Sequence, residues 1–518
     1  MLHHDVVQRF TRCSGEPSCL VPRSTMTFRM GIFCVVWAAL AIPFQGASPG
    51  AQASAAASPD GCSLPPIDPN GDFLSNFNNS CYAIPMVTSH GQNFDGDLNG
   101  TYYTIWYQLR AGYELVVTGA FPNSRFFAAT VYDAHSAVTG SLLDNQILPL
   151  TSSMTNPYIP GSTYQPGQQY ALTVGFGSGP PLSVDPGCST PGTTDQNFID
   201  ASQIHKGITW TGYPNLPPGF PPHQTGANTA GAIIVRAYVN TSTQPPPGVI
   251  VRQLSNGCAL PAAQAISQSI LTTTPSIGNS WANYIQVAAH QEFAYSIEPL
   301  ECYAPDLGNS ARWVRSPDYI PGIDAYAGYL EYTLNSSFVS SLISGQQFIR
   351  IQFKMPTFPN IPCSTGTCTL TGIEQVRYRS ISFESGKTTL ASIKDSDIVL
   401  NPNGYATLII GMGTAPPAYV TSSNYYTYFN FAAVANYQNV TSVVLRDILP
   451  NAAFNCSVMN VPNFTSEYNA EGGFMGNFVP TVDYPTASQI TNKPHPLYRM
   501  NTCSIVPTET PTQCPATN

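Results

Sequence analysis

Charged side chains are scarce in this sequence. Lysine, arginine, aspartate and glutamate make up 9% of its 518 residues, against ~25% in an ordinary soluble domain. The 20 Lys and Arg are outnumbered by 29 Asp and Glu and form no basic cluster, so the electrostatic footprint of a nucleic-acid binder is missing. Long apolar runs are scarce too. One exists, "GIFCVVWAALAIPF" from Gly31 to Phe44, and its 14 residues are short for a membrane span. No Cys-x-x-Cys pair occurs, which argues against a cysteine-rich zinc site. No His-Glu-x-x-His or His-x-His occurs either. Beyond residue 57 the histidines (His90, His135, His205, His223, His290 and His495) stand singly, without the partners a catalytic or metal site needs.

Apolar residues nevertheless reach 43%, which excludes a disordered chain. Polarity comes from Ser, Thr, Asn, Gln and 28 Tyr. The 47 Pro and 40 Gly punctuate short apolar runs, the composition of an all-β, turn-rich protein. Arg29, the apolar run and the small residues of "GASPGAQASAAAS" form a secretory signal, with Ala51-Gln52-Ala53 as an A-x-A cleavage site. The expected layout is an extended start or long basic region over 1–25 and a signal and cleavage region over 26–57. The single Gly-x-Ser-x-Gly, Gly46 to Gly50, falls inside that signal and lacks the strand-turn-helix of a nucleophile elbow. Export implies a secreted, extracellular or periplasmic location, with no membrane span in the mature chain.

An odd phrase is written twice: "VGFGSGPP" from Val174 and "IGMGTAPP" from Ile410. Each follows a Tyr-Ala strand pattern, at Tyr170 and at Tyr405. Further matches come in the same order. Arg125 corresponds to Arg377, Asp144 to Asp395, Ile147 to Ile398 and Arg236 to Arg446. "DGCSLP" at Asp60 resembles "NGCALP" at Asn256, and "SCYA" at Ser80 resembles "ECYA" at Glu301. An ordered series of this kind points to internal duplication. Each phrase then marks a strand end, where Gly-x-Gly permits close backbone approach and Pro-Pro removes ladder donors. A phosphate cradle would need a following Lys-Ser/Thr, which is absent.

Strands are expected at Tyr102–Leu109, Tyr113–Gly119, Arg125–Asp133, Tyr170–Val174, Tyr326–Leu334, Gln347–Lys354, Val376–Glu384, Tyr405–Ile410 and Tyr428–Val434. The best helical candidate is Pro261 to Leu271. The expected fold is all-β: two tandem β-sandwich domains of jelly-roll-like type, related by duplication, with few short helices. They span 58–252 and 253–490, followed by a stapled tail over 491–518. Three of the 13 cysteines precede residue 57, and the remaining ten suit an oxidising compartment. The repeat positions suggest Cys62–Cys81 and Cys258–Cys302. Close spacing suggests Cys363–Cys368 and Cys503–Cys514, which leaves Cys188 and Cys456.

"NGTYYTIWYQLRAGYELVVTGAFPNSRFFAATVYDA", "NPYIPGSTY" and "IIVRAYV" resemble the first domain of an uncharacterised family of exported bacterial proteins. "VRYRSISFES", "LRDILPNAAF" and "FMGNFVP" resemble its second domain, with Arg379 where the family has Trp and Phe478 where it has Tyr. The resemblance covers most of residues 60–485. It implies a duplicated β-sandwich and brings no known reaction.

Two constellations are candidate sites. The repeated set Arg125, Asp144, Arg236 and Arg377, Asp395, Arg446 is either an ion pair tying strands at the rim of each sandwich or an anion site in each copy. In "FDGDLNG", Asp95, Asp97 and Asn99 alternate as in the first half of a calcium loop. Trp106 occupies the twelfth position, so this is no EF-hand, and the stretch equally suits an Asp/Asn/Gly turn. No cofactor is evident beyond candidate Ca²⁺. The expectation is an exported, non-enzymatic binding or structural module of the envelope or exterior. Its candidate partner is a polysaccharide or another envelope component, given the Tyr-rich, charge-poor composition. A secreted hydrolase of glycans or esters, with carboxylates from distant positions, and a self-assembling surface protein are the alternatives.

Overall fold

The computed structural model describes residues 84–85, 92–93, 96–109, 112–133, 138–175, 197–201, 229–239, 245–260, 313–315, 326–361, 370–385, 388–413, 415–461, 466–467 and 474–490. The proposed signal, the candidate helix Pro261–Leu271, the six histidines and the C-terminal tail lie outside these residues. Of the ten cysteines only Cys258 and Cys456 lie inside them. Each is disulfide-bonded, and the pairing scheme itself lies outside.

The first half supplies β1 (Ile84–Pro85), β2 (Gln92–Asn93), β3 (Gly100–Leu109), β4 (Tyr113–Ala120), β5 (Phe126–Asp133), β6 (Val138–Leu143), β7 (Gln169–Gly175), β8 (Phe198–Asp200), β9 (Thr229–Tyr238) and β10 (Gly248–Gln253). The second supplies β11 (Trp313–Arg315), β12 (Ala327–Thr333), α1 (Ser336–Ile343), β13 (Ile349–Lys354), β14 (Tyr378–Ser385), β15 (Thr388–Lys394), β16 (Tyr405–Gly411), β17 (Thr427–Asn430), β18 (Ser442–Ile448), β19 (Ser466–Glu467) and β20 (Thr481–Asp483). The fold is all-β, with α1 as the one α-helix among the described residues. Asn335 caps α1, its side chain accepting from the Ser337 N–H at 2.9 Å. No described helix is long and apolar enough to cross a membrane.

In the first half, a five-stranded sheet of order β1-β3-β9-β5-β6 lies over a four-stranded sheet of order β10-β4-β7-β8. Ile105, Val131 and Ile233 from one sheet and Leu115, Leu172 and Val174 from the other share one apolar core. In the second half, β12-β18-β14-β15 and β20-β13-β16-β17 repeat that strand order. Leu330, Ile381 and Leu445 pack there with Ile351, Leu408 and Ile410. One neighbour in each smaller sheet is parallel, β7 with β8 and β16 with β17. A 3-10 turn follows the equivalent hairpin in each half, at Asp144–Gln146 and Asp395–Asp397. β2 breaks the separation by pairing with β15 of the other half.

Alternation decides these sheets. In β13, Ile349, Ile351 and Phe353 are core, while Gln352 and Lys354 are part-exposed. β18 is buried along its whole length, because its sheet is covered on both faces. One face meets the second core. The other meets a separate cluster containing Tyr102, Phe126, Ile234 and Tyr238 of the first half with Ala327, Tyr378 and Ile448 of the second. The two larger sheets therefore face each other. The expected strand Tyr428–Val434 is shorter than its pattern implies. β17 ends at Asn430, whose side chain accepts from the Ala432 N–H and turns Phe431–Ala433 into a 3-10 turn.

Candidate functional site

The six residues of the repeated Arg/Asp set face the junction between the halves, and Arg125, Asp144, Arg377 and Asp395 pair across it rather than within one sandwich. Arg125 lies just before β5 and Asp395 just after β15. The Arg125 Nη1 donates to Asp395 Oδ1, and its Nε donates to the Ile361 carbonyl at 2.9 Å. Reciprocally, Arg377 Nη1 donates to Asp144 Oδ2 at 3.1 Å. Each carboxylate is fixed by its own half. Asp395 accepts the Arg379 and Ser396 N–H groups at 2.9 and 2.7 Å, and Asp144 accepts those of Phe127 and Asn145 at 3.3 and 2.7 Å. Each guanidinium arrives from the other half. Both aspartates are fully buried, and the Arg125 and Arg377 side chains are 3% and 12% exposed.

Arg236 on β9 and Arg446 on β18 stand opposite Tyr102 and Tyr329 in register. Arg446 Nη1 lies 2.8 Å from Asp97 Oδ2 as an ion pair, and its guanidinium lies 5.1 Å from the Tyr329 ring centre. Arg236 Nη2 donates to the Tyr132 hydroxyl at 2.7 Å. Asp97, in the turn before β3, sits inside the second half. Its Oδ2 also accepts from the Tyr378 hydroxyl at 2.7 Å and from the Ser380 hydroxyl at 2.5 Å. Its Oδ1 accepts from the backbone and side-chain N–H groups of Asn99 at 2.8 and 2.9 Å. Both oxygens of this candidate calcium ligand thus face protein donors, one of them a cation. Asp95 lies outside the described residues. Among the described residues, no three His, Cys, Asp or Glu side chains gather in a way that could hold a metal ion.

Burial alone would raise the Asp97 carboxyl, but the Arg446 guanidinium and the hydrogen bonds from Ser380, Asn99 and Tyr378 hold it below its ordinary range. At Asp144 burial wins over Arg377 and the two N–H donors, and pushes the carboxyl up to about 6. Asp395 is raised for the same reason, against Arg125. A raised folded-state carboxyl means that the folded protein holds its proton longer than the unfolded chain. Its contribution to stability is full below the unfolded value of 3.8 and is lost as the pH rises through about 6. The stability of the wild type relative to Asp144→Asn should therefore fall by about 2 kcal/mol between pH 4 and 7, then level off. Urea unfolding of both proteins from pH 4 to 8 measures this. A difference independent of pH would refute the assignment.

Other buried pairs were not foreseen. Arg379 and Asp447 face each other across β14 and β18, with Nε–Oδ1 at 2.6 Å and Nη2–Oδ2 at 2.7 Å, and both side chains are fully buried. Arg252 and Glu114 form a buried pair between β10 and β4. The signal for the first was present in β14. Arg379 shares the inward-facing register with Ile381 and Phe383, and a cation among core positions requires a buried anion.

The sequence matches no known protein family, and no curated protein matches it. Two solved bacterial structures show similarity. One is an uncharacterised protein from Burkholderia cenocepacia, 8% identical, with a TM-score of 0.42 over 80% of this chain and 84% of that one. The other is a protein from Vibrio parahaemolyticus, 10% identical, with a TM-score of 0.33 over 71% of this chain and 89% of that one.

Proposed function

We propose that this chain is an exported, non-enzymatic binding or structural module of the cell envelope or exterior, built from two copies of one β-sandwich, and that its ligand is a polysaccharide. The observation that carries the reading is the use made of its few charges. Of the arginines and aspartates written in both halves, Arg125, Asp144, Arg377 and Asp395 pair with one another across the junction, where they join the halves. The matching strand orders and the matching 3-10 turns support two copies of one domain. The charge-poor, Tyr-rich composition suits a neutral polar ligand, because aromatic rings stack on sugar faces and amides and hydroxyls bond to sugar hydroxyls.

The test is incubation of the chain from about residue 58 with insoluble cellulose, chitin, xylan and starch. Bound protein and released reducing sugar are both measured. Binding without release is the expected result. Release of sugar would replace this reading with a glycosidase. No binding, with large particles in light scattering, would replace it with self-assembly.

A further inference from the structure

β9 and β18 end in the same unusual corner. Val239, the residue after β9, has φ 56°, and Leu449, the residue after β18, has φ 45°. Left-handed angles are an outlier for a β-branched or bulky side chain. Leu449 also precedes Pro450, a setting that favours extended angles. Both side chains are half-buried against the aromatic cluster that the two larger sheets share. Strain of this kind persists only where the surroundings enforce it, and its recurrence at the matching position of each half calls for one cause.

What enforces each corner reaches across the junction. The Val239 N–H donates to the Asn99 carbonyl at 2.8 Å. Asn99 belongs to the turn before β3, and the second half clamps that turn: Asp97 pairs with Arg446, and the Leu98 N–H donates to Ser392 Oγ on β15 at 3.2 Å. The Leu449 N–H donates to the Tyr326 carbonyl, also at 2.8 Å. The first half clamps Tyr326, whose hydroxyl accepts from Ser141 Oγ on β6 at 3.0 Å. The carbonyl before each strained residue is held likewise. Tyr238 accepts the Arg125 N–H at 2.9 Å and Ile448 the Arg377 N–H at 3.0 Å, and these are the arginines that reach Asp395 and Asp144 of the opposite half. Each left-handed corner is therefore tied at two points to groups that the other half fixes.

We propose that the junction is a sprung conformational device. Docking of the halves holds the Val239 and Leu449 corners in left-handed angles, and the corners relax when the two larger sheets move apart while each half stays folded. The strain raises the docked state and not the open one, so it brings the two closer in free energy. Opening brings the buried arginines, aspartates and tyrosines of these faces into contact with solvent.

The test is hydrogen exchange of the full chain, read by mass spectrometry at the Arg125 and Arg377 amides and at the β16 amides of the second core. It compares the wild type with Val239→Ala, Val239→Gly, Leu449→Ala and Leu449→Gly. At an ordinary position glycine is the more destabilising of the two, because it loses more conformational freedom on folding. At a strained left-handed position the order inverts. The glycine variants should therefore exchange the Arg125 and Arg377 amides about fivefold more slowly than the alanine variants, and should melt at a higher temperature. In the wild type those two amides should exchange about tenfold faster than those of β16, the mark of an opening short of unfolding. Alanine variants as well protected as the glycine variants would overturn the strain. Equal exchange of the junction and β16 amides in the wild type would overturn the separate open state. Should the variants of one corner fail to fold, the other corner gives the same comparison.

Discussion

Replacing Arg379 with alanine is expected to cost about 3–5 kcal/mol of stability, the range for removing one partner of a buried ion pair. The guanidinium is fully buried, and both of its terminal nitrogens and its Nε are engaged. Nε and Nη2 bind Asp447, and Nη1 donates to the Phe478 carbonyl at 3.0 Å. Alanine would leave the Asp447 carboxylate in the core, with the Val458 N–H donating to its Oδ2 at 3.2 Å in place of a cation. The first half supplies a control. At the matching register of β5 and β9 it carries Phe127 opposite Ala237, an apolar pair in the same setting. The double substitution Arg379→Phe with Asp447→Ala should therefore recover most of the loss, because it removes both charges together. Guanidinium unfolding of the single and double variants checks this. A double variant as unstable as Arg379→Ala would show that the pair is tied to its surroundings by more than its own charges.

The junction gives the second large effect. Asp395→Ala should also cost about 3–5 kcal/mol, since Arg125 would be left buried without its carboxylate. The informative measurement is a pair of double-mutant cycles. Arg125 and Asp395 should show a coupling of about 1–3 kcal/mol, and Arg125 and Asp144 a smaller one. The reciprocal Arg377–Asp144 cycle should be weaker than the first, because Arg377 is partly exposed and its contact is 3.1 Å long. If Arg125 coupled more strongly to Asp144 than to Asp395, pairing within one sandwich would be restored as the correct description.

Much of the architecture was written in local patterns. "FIRIQFK" places three apolar side chains on one face, and β13 uses that face. The aromatic and β-branched runs at Tyr102, Arg125 and Val376 became β3, β5 and β14 within two residues. α1 was missed because "SSFVSSLI" is short and Ser-rich, and its clearest mark is the single cap Asn335. The repeated arginines and aspartates were legible as a set, since scarce charges recurring in order need partners. Their pairing was not. Arg125 lies 19 residues before Asp144, yet its contact runs to Asp395, 270 residues away. That choice depends on how two sheets dock, which no pattern within one half encodes. Asp97 shows the same limit. A turn of Asp, Asn and Gly looks locally complete, and the guanidinium and hydroxyls that close around it come from β14 and β18.

The reciprocal pairs carry a consequence for how this chain can change. A contact in which each side lends a cation and receives a carboxylate is the pattern of a two-fold symmetric dimer, where a surface meets its own copy. In such a dimer every substitution is made twice, and a flaw at the shared surface is doubled. Within one chain the same contact takes each substitution once, so either side can drift while the other holds. The two sides differ at positions of matching register: Phe127 and Ala237 on one side, Arg379 and Asp447 on the other. Linkage in one chain turns an obligate symmetry into a tolerated one, and leaves one lobe free to acquire what the other lacks.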